Sequence, residues 1–364
     1  MSGELLYQIA LTMIPNMGIV SAKKLIDYFK EASLIFEASE NELSQTGISF
    51  KLAAEIRKFK NFSLVEKEIA FIDKYNIRPL FCTDCTFPRR LLNCFDPPVL
   101  LYFLGNCSLN DTKIVSVIGT RNNTLYGKKV AEQIIEELAA QKILIVSGFA
   151  YGINSIVHQA ALNNGLETIG VLANGLQTIY PAQNKRMAAE MVAQGGLLTE
   201  FTQDTKPDKL NFPRRNRIVA GMTDATIVIE SSKKGSSMIT AEIAGSYERE
   251  IFAVPGRTTD EKSSGNNFLI QSNRAALFTD TQQFLYAMNW NTQKQRQEQH
   301  IIRYVDLDPN EQTIVDILRD HHILHIDELQ AKSALNESDL AQATLKLESA
   351  SILLALPNNM YQLI

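Results

Sequence analysis

Basic side chains are concentrated around one aromatic residue in the middle of the chain. Residues 205–217 hold five basic side chains and a single acidic one, Asp208. The basic residues are Lys206, Lys209, Arg214, Arg215 and Arg217. Phe212-Pro213 lies among them, and the segment Arg-Arg-Asn-Arg that follows predicts the first turn of a helix, whose positive end favours anions. Cations beside an aromatic ring suit the phosphates and bases of single-stranded nucleic acid.

We therefore expect this segment to line a groove for single-stranded DNA. The expected contacts are Phe212, Arg214, Arg215, Asn216 and Arg217. Two alternatives remain open, because a charge run can be a solvated face and Phe212 can pack beneath the helix instead of stacking on a base. Lys185 and Arg186, which follow Tyr180-Pro181, would extend the basic track.

Two glycine-containing loops also suit an anion. Gly119-Thr120-Arg121 follows a predicted strand and precedes a predicted helix, where backbone N–H groups and the arginine fork can bind a phosphate. Gly235-Ser236-Ser237 opens another predicted helix directly after two lysines, and predicts a cup of amide and hydroxyl donors. The first loop is not a Walker A loop, because seven residues separate its glycine from Gly127 where four are required. A solvated Arg121 is the alternative.

The sequence indicates neither a catalytic nor a metal-binding arrangement. Ser147 has no glycine two residues before it, so its segment is not a nucleophile elbow, and His158 is expected to pack or cap a helix. The four cysteines include the pair Cys82 and Cys85, but no second pair at zinc spacing. We therefore expect no catalytic residue, no metal and no cofactor.

Composition and periodicity then define the scaffold that must position these loops. The chain has 364 residues with a formal net charge of −4, 45% hydrophobic and 21% charged residues, which excludes a disordered or fibrous protein. No apolar run approaches the roughly 20 residues that span a bilayer, and we expect a cytoplasmic protein. From residue 113 onward, apolar runs alternate with amphipathic segments, which predicts an α/β fold with an extended, Rossmann-like, mainly parallel sheet. Such sheets bind ligands at the carboxyl ends of their strands.

The chain divides into four predicted parts. Residues 1–75 read as short helices, a SAM or helix-hairpin-helix-like domain, in which two glycine turns either hold a DNA phosphate or only end helices. Residues 76–288 form the Rossmann-like DNA-binding core, with 76–112 as its lead-in. Residues 289–305 are polar and Gln-rich and read as a linker. Residues 306–364 show three helices followed by a hairpin, the order of a winged helix.

The C-terminal part is electrostatically distinct from the rest. Residues 306–364 hold 3 basic residues against 10 acidic ones. Binding to duplex DNA begins with the neutralisation of phosphates, so an acidic winged helix would repel the backbone that it approached. We expect this segment to serve protein contacts instead.

In combination, the motifs of residues 113–275 resemble the DNA-processing protein A (DprA/Smf) family. The matching segments are Val117-Ile-Gly-Thr-Arg121, Ser147-Gly-Phe-Ala-Tyr-Gly-Ile-Asn154, Tyr180-Pro-Ala-Gln-Asn184, Phe212-Pro-Arg-Arg-Asn-Arg217, Gly235-Ser-Ser-Met-Ile-Thr240 and Phe252-Ala-Val-Pro-Gly256. Asn154 departs from the aspartate that is usual in the family, and Gly-Ser-Ser-Met replaces the usual Ser-Gly-Ser-Leu.

The resemblance implies a recombination mediator that is not an enzyme. Members of the family bind single-stranded DNA during natural transformation and load the RecA recombinase onto it. The implied partners are thus single-stranded DNA, RecA and a second copy in a homodimer, with DNA contacts from the Arg121 loop, the Lys185 region and the serine cup. An enzyme alternative comes from a similar fold, the LOG group of phosphoribohydrolases, which act on nucleoside monophosphates. Their Pro-Gly-Gly-x-Gly-Thr loop is not matched at residues 235–242.

Overall fold

The computed structural model describes residues 3–290, 307–321, 323–350, 352–356 and 359–363. The chain forms two compact units, Met1–Phe284 and Leu285–Ile364. Most of the predicted linker, 289–305, lies outside the described residues. In the described part of the chain, no helix is both long and apolar enough to cross a membrane.

The first unit begins with six short helices around their own apolar core. They are α1 (Gly3–Thr12), α2 (Ile19–Phe29), α3 (Ala32–Glu37), α4 (Glu40–Gln45), α5 (Phe50–Lys58) and α6 (Phe62–Lys74). The Ser39 and Ser49 hydroxyls cap α4 and α5 by accepting hydrogen bonds from backbone N–H groups of the first turn. Ile9, Leu25 and Ile35 fill the core. Within residues 1–75 the apolar spacing predicts helices at 5–14, 21–29, 32–37, 40–44 and 51–59, which correspond to α1–α5, whereas α6 was not predicted.

A nine-stranded sheet forms the centre of the first unit. Its strands are β1 (Arg78–Phe81), β2 (Leu100–Gly105), β3 (Ile114–Ile118), β4 (Leu144–Gly148), β5 (Thr168–Val171), β6 (Gly195–Thr199), β7 (Ala225–Val228), β8 (Glu250–Ala253) and β9 (Ala276–Leu277). The order across the sheet is β1-β2-β6-β5-β4-β3-β7-β8-β9. The seven strands from β6 to β9 are parallel, and β2 and β1 extend the sheet in antiparallel register. The expected α/β class with a mainly parallel sheet is confirmed, whereas β1 and β2 were not predicted.

Helices cover both faces of this sheet, as the continuous apolar strands require. Every residue of β3, β4 and β6 is buried. The helices are α7 (Arg89–Leu92), α8 (Leu125–Ala139), α9 (Ile153–Asn163), α10 (Lys185–Ala193), α11 (Asn211–Gly221), α12 (Ser236–Ser246), α13 (Ser264–Gln271) and α14 (Thr281–Ala287). Short 3₁₀ turns at Ala182–Asn184 and Glu261–Ser263 precede α10 and α13.

The strand order places a crevice at one point of the sheet. From β3 the chain proceeds through β4, β5 and β6 on one side, and then through β7, β8 and β9 on the other. Helices on opposite faces diverge where the order reverses, so a crevice opens between the carboxyl ends of β3 and β7.

The second unit has its own small core. Its helices are α15 (Pro309–His321), α16 (Ile326–Ser333) and α17 (Glu337–Ser349), and a three-stranded antiparallel sheet has the order β10 (Ile323–His325), β12 (Met360–Leu363), β11 (Leu353–Leu356). Ile314, Leu318, Leu329 and Leu347 pack together between them. The three helices and the terminal hairpin lie near their predicted positions, and β10 was not predicted.

Candidate nucleic-acid interface

The loops that leave the parallel strands meet at one edge of the sheet. Strands β3 to β7 run in one direction. The loops that follow them therefore share the carboxyl edge, and they span residues 119–124, 149–152, 172–181, 200–210 and 229–235. This topology brings together the Arg121 loop, the basic run before α11 and the serine cup.

The Arg121 loop is held by its neighbours. The Thr120 N–H donates a hydrogen bond to the Glu230 carbonyl at 2.7 Å. Gly152 has a φ of 75°, and a Cβ there would collide with the Thr120 carbonyl, so glycine is required where the loop after β4 passes the loop after β3. Arg121 itself is exposed, and its guanidinium lies 4.5 Å from the centroid of the Phe212 ring.

Helix α11 divides the basic run between two faces. Phe212, Arg215 and Asn216 line the crevice together with Gly119 and Arg121. Their spacing of three and four residues places them on one side of the helix, whereas 214 and 217 project from another side. The sequence treated the whole run as a single surface, and the structure does not.

Arg214 and Arg217 face a buried carboxylate away from the crevice. The Arg217 guanidinium donates to the Glu200 carboxylate and, at 2.7 Å, to the Asp96 carbonyl. The Arg217 and Glu200 side chains are 7% and 8% exposed. Arg214 lies over the Phe201 ring at 5.1 Å, and its Nε is 4.0 Å from Glu200. Burial raises the pKa of Glu200 although both arginines act to lower it. The buried pairing of Arg217 with Glu200 does not fit the expected DNA-contacting role, so we leave Arg217 outside the interface, whereas Arg214 is 58% exposed and its DNA contact stays a prediction.

Arg215 is a buried cation without a carboxylate among the described residues that line its crevice. It is 3% exposed and donates to the Val171 carbonyl and, from Nε at 3.2 Å, to the Asn216 side chain. Burial, and then the like charge of Arg121, lower the pKa of Arg215 to about 9. A cation held in this way gains from any anion that enters beside it.

The crevice itself is narrow and rich in donors. Its volume is about 30 Å³, close to the space of one water molecule. Ser236, Ser237 and Thr240 of α12 lie opposite the two arginines, and the Asn154 Oδ1 is buried without a hydrogen-bond partner among the described residues. The arrangement can hold the oxygens of an anion at the crevice, with Arg121 at its exposed rim.

His158 lies beneath this site without contributing a charge to it. The ring is fully buried, and its Nδ1 is 2.8 Å from the Thr168 hydroxyl. Burial, and then the positive charge of Arg215, lower the pKa of His158 to about 3. The imidazole is therefore neutral at physiological pH, which fits the expected packing role.

The serine cup is partly closed by its own contacts. The Ser237 hydroxyl donates to the Ser231 hydroxyl at 2.7 Å and is buried, whereas Ser236 is exposed at the first turn of α12. Gly235 is the N-cap residue and offers no side chain, so the first N–H groups of α12 face the loop. Lys233, also exposed, has its Nζ 5.5 Å from the Phe268 ring centroid. Ser236 and Ser237 are thus near the crevice, as predicted.

Lys185 and Arg186 lie at the start of α10, away from the crevice lining. Both are exposed. Arg186 pairs with Glu190 at 2.9 Å and lines a separate groove of about 780 Å³ with Lys128 and Glu132. Its side chain is 92% exposed, so it remains a solvated cation outside the site. We retain Lys185 as an outlying contact and leave Arg186 out.

Sequence reasoning missed two aromatic residues at this edge. Tyr151, in the loop after β4, and Tyr180, in the loop after β5, have ring centroids 6.2 Å apart. Tyr180 is in turn 6.3 Å from Phe212. Because β4 and β5 are neighbours in the sheet, the loops that follow them had to be adjacent. Two tyrosines in those loops were the signal available in the sequence.

A larger cavity lies along the same edge, beyond β7. It has a volume of about 890 Å³ and is lined by two cations, Arg257 and Lys262, and by two carboxylates, Asp260 and Glu261. Tyr126 also lines it, and its hydroxyl donates to the Pro255 carbonyl at 3.0 Å. Glu230 borders it too, but its carboxylate already accepts from the Thr124 N–H and hydroxyl at 2.9 and 2.7 Å. The mixed charges make it a weaker anion site than the crevice.

Comparison with known proteins identifies a family and individual relatives that this chain resembles. The profile of the family described as DNA recombination-mediator protein A matches residues 78–289. The DNA processing protein DprA of Bacillus subtilis (strain 168) is 33% identical over 275 residues, which cover 74% of this chain and 92% of that protein.

Two solved structures are similar as well. The X-ray structure of DNA processing protein A from Streptococcus pneumoniae has a TM-score of 0.68 at 31% identity, covering 77% of this chain and 97% of that one. DNA processing protein A from Helicobacter pylori, solved to describe its single-stranded DNA binding mode, has a TM-score of 0.54 at 31% identity and covers 59% of this chain and 96% of that one.

Proposed function

This chain belongs to the DNA recombination-mediator protein A family, and from that premise we propose that it binds single-stranded DNA along the carboxyl edge of its sheet. The observation that carries the proposal is the crevice between β3 and β7. There the guanidinium groups of Arg121 and Arg215 lie 4.5 and 5.9 Å from the centroid of the Phe212 ring, with no carboxylate among the described residues of the lining. Cations next to an aromatic ring match the phosphates and bases of a single strand.

The proposed interface is smaller than the sequence predicted. Phosphates contact Arg121 at the rim, beside Gly119, while Arg215 and Asn216 supply positive charge and donors from below. The Thr120 N–H is already held by the Glu230 carbonyl and orders this loop. The first turn of α12, with Gly235, Ser236 and Ser237, completes the donor set. Lys206 and Lys209 precede α11, and both are exposed. Four or five cationic contacts imply a slope of log K against log salt of roughly −3, at about −0.7 per neutralised phosphate.

A titration tests this proposal directly. Labelled single-stranded and duplex oligonucleotides of one length are titrated with the whole protein over a series of salt concentrations. We expect the single strand to bind more tightly, with little dependence on sequence and with the slope given above. Equal affinity for both forms, or no binding at low salt, would contradict the proposal.

We also propose that the bound strand is passed to RecA during natural transformation, by a homodimer of this chain acting without catalysis. Family membership supports this part. The test is RecA filament formation on single-stranded DNA with and without this protein, together with the protein's mass in solution. Faster filament formation by a species of twice the chain mass is the expected result. Unchanged filament kinetics would refute the RecA role and leave DNA binding intact.

The phosphoribohydrolase alternative is not favoured. The segment 235–242 forms the start of α12 without a run of glycines, and the chain's relatives are DNA-processing proteins. Incubation with nucleoside monophosphates distinguishes the two functions, because release of the base would support the enzyme.

A further inference from the structure

Three aromatic rings form a continuous row on the carboxyl edge of the sheet. They come from different parts of the chain: Tyr151 from the loop after β4, Tyr180 from the loop after β5, and Phe212 from the first turn of α11. Neighbouring centroids are 6.2 and 6.3 Å apart, with interplanar angles of 82° and 64°. Arg121 lies against the last ring at 4.5 Å. The row therefore borders the proposed phosphate site.

The row is not a part of the hydrophobic core. Tyr151 is 37% exposed, and Tyr180 and Phe212 are only partly buried. The core behind them is filled by other residues, among them Phe149 and Leu172. In the described part of the chain, neither tyrosine hydroxyl has a hydrogen-bond partner, so no polar contact explains why tyrosine occupies these positions. The T-shaped ring pairs stabilise one another, but each ring keeps exposed surface that a base can cover.

The spacing of the rings favours unpaired bases as their ligand. Stacked bases in a strand are about 3.4 Å apart along the helix axis, which is little more than half of the 6.2 and 6.3 Å between the rings. A strand that follows the row must therefore unstack to bring successive bases to successive rings. Bases in a duplex are stacked and paired, and present no such faces. Every base has a π face, so the contact tolerates any sequence.

We propose that Tyr180 and Tyr151 extend Phe212 into a stacking surface for consecutive unpaired nucleobases, so that this edge recognises bases as well as phosphates. This inference rests on the proposed binding of single-stranded DNA and names the part of the strand that the row contacts. The rings favour single-stranded over duplex DNA, and the positive charges of Arg121 and Arg215 attract the phosphates.

The test compares a normal oligonucleotide with an abasic one of equal length, which keeps the phosphates and lacks the bases. The whole protein is used as wild type, Tyr151→Leu, which keeps apolar bulk without a ring, and Tyr151→Phe, which keeps the ring. Tyr75→Ala is the matched control, because Tyr75 is 48% exposed at the end of α6.

We expect Tyr151→Leu to weaken binding of the normal strand about 5- to 150-fold, the range for one stacked base. Its affinity for the abasic strand should equal that of wild type. Tyr151→Phe and Tyr75→Ala should bind both strands like wild type.

Other outcomes separate this inference from the proposed function. If Tyr151→Leu lowers affinity for both strands equally, or for neither, the row does not stack on bases although the protein binds DNA. If wild type binds normal and abasic strands with equal affinity, bases are not recognised at all. If wild type binds neither strand, the proposed function itself is wrong. Tyr180→Leu with Tyr180→Phe repeats the comparison at the middle of the row, and a melting temperature for each variant confirms that it is folded.

Discussion

Replacing Arg121 by alanine should weaken single-stranded DNA binding more than any other change of a single exposed charge at this edge. The guanidinium is exposed at the rim of the crevice and lies 4.5 Å from the Phe212 ring. A hydrogen bond from a charged group contributes about 1.5–3 kcal/mol to binding, whereas the contact between Arg121 and Phe212 exists without DNA and does not add to the affinity. Relief of the repulsion between Arg121 and Arg215 offsets part of this contribution. A loss of about 1–2.5 kcal/mol follows, which is roughly 5- to 70-fold in Kd at low salt.

The salt dependence gives a second, independent measure of the same change. Loss of one phosphate contact should reduce the slope of log K against log salt by about 0.7, from roughly −3 to roughly −2.3. Anisotropy titrations of a labelled oligonucleotide at four or more salt concentrations measure both quantities. Arg186→Ala is the matched control, because it removes the same charge from α10, where the side chain is 92% exposed and pairs with Glu190.

The result that would refute the reasoning is an equal effect of the two substitutions. If Arg121→Ala and Arg186→Ala both lower affinity slightly and by the same factor, binding responds to net charge and not to the crevice. If Arg121→Ala changes affinity without changing the slope, the residue acts through Phe212 and not through a phosphate.

Three further predictions address stability and the second unit. A protein that ends at Asn289 should bind single-stranded DNA at least as tightly as the whole chain, since residues 306–364 carry 10 acidic and 3 basic residues and would repel the strand. A large loss of affinity in a truncated protein that is still folded would mean that the second unit contacts DNA. Arg217→Ala should lower the free energy of unfolding by about 3–5 kcal/mol in denaturant titrations, because it leaves Glu200 buried with only Arg214 nearby, at 4.0 Å, while the folded variant keeps its affinity for DNA. The pKa of His158 is lowered to about 3, so the unfolded chain binds a proton that the folded chain does not. The free energy of unfolding should therefore fall as the pH drops below 6.5. In His158→Gln, one proton fewer is taken up on unfolding, so the free energy of unfolding should fall less steeply with decreasing pH.

The parts of the fold that follow from local pattern were predictable. Apolar runs such as 143–146 indicated the parallel strands, because strands covered on both faces can be apolar throughout. Residues 99–104 form an equally continuous apolar run, so β2 was missed although the same signal marks it, whereas β1 begins with Arg78 and Pro79 and carries no such run. Helix α6 was missed although its apolar residues, Val65 and Ile72 among them, recur at helical spacing.

The candidate site was predictable as a set of loops and not as a set of contacts. The presence of cations near Phe212 is a property of the sequence, but the pairing of Arg217 with Glu200 depends on how α11 sits against the loop after β6. Helical spacing alone could have separated 214 and 217 from 212, 215 and 216, because it places them on different sides. The closeness of Tyr151 to Tyr180 required the order of β4 and β5 in the sheet, which no motif specifies.

The pairing of β2 with β6 has a consequence for synthesis on the ribosome. One edge of β2 can pair with β1 as soon as both have emerged, but the other edge pairs with β6, where Tyr102 lies opposite Thr199, and must wait for a strand that is translated roughly one hundred residues later. At about 5–20 residues per second, this interval lasts on the order of 5–20 seconds. During that time the emerging chain displays a strand, Leu100–Gly105, of which the first four residues are buried once folding is complete. An apolar strand with one open edge is a template for association with other chains. The nascent protein is therefore most vulnerable to aggregation, and most in need of a chaperone, before residue 199 has left the exit tunnel.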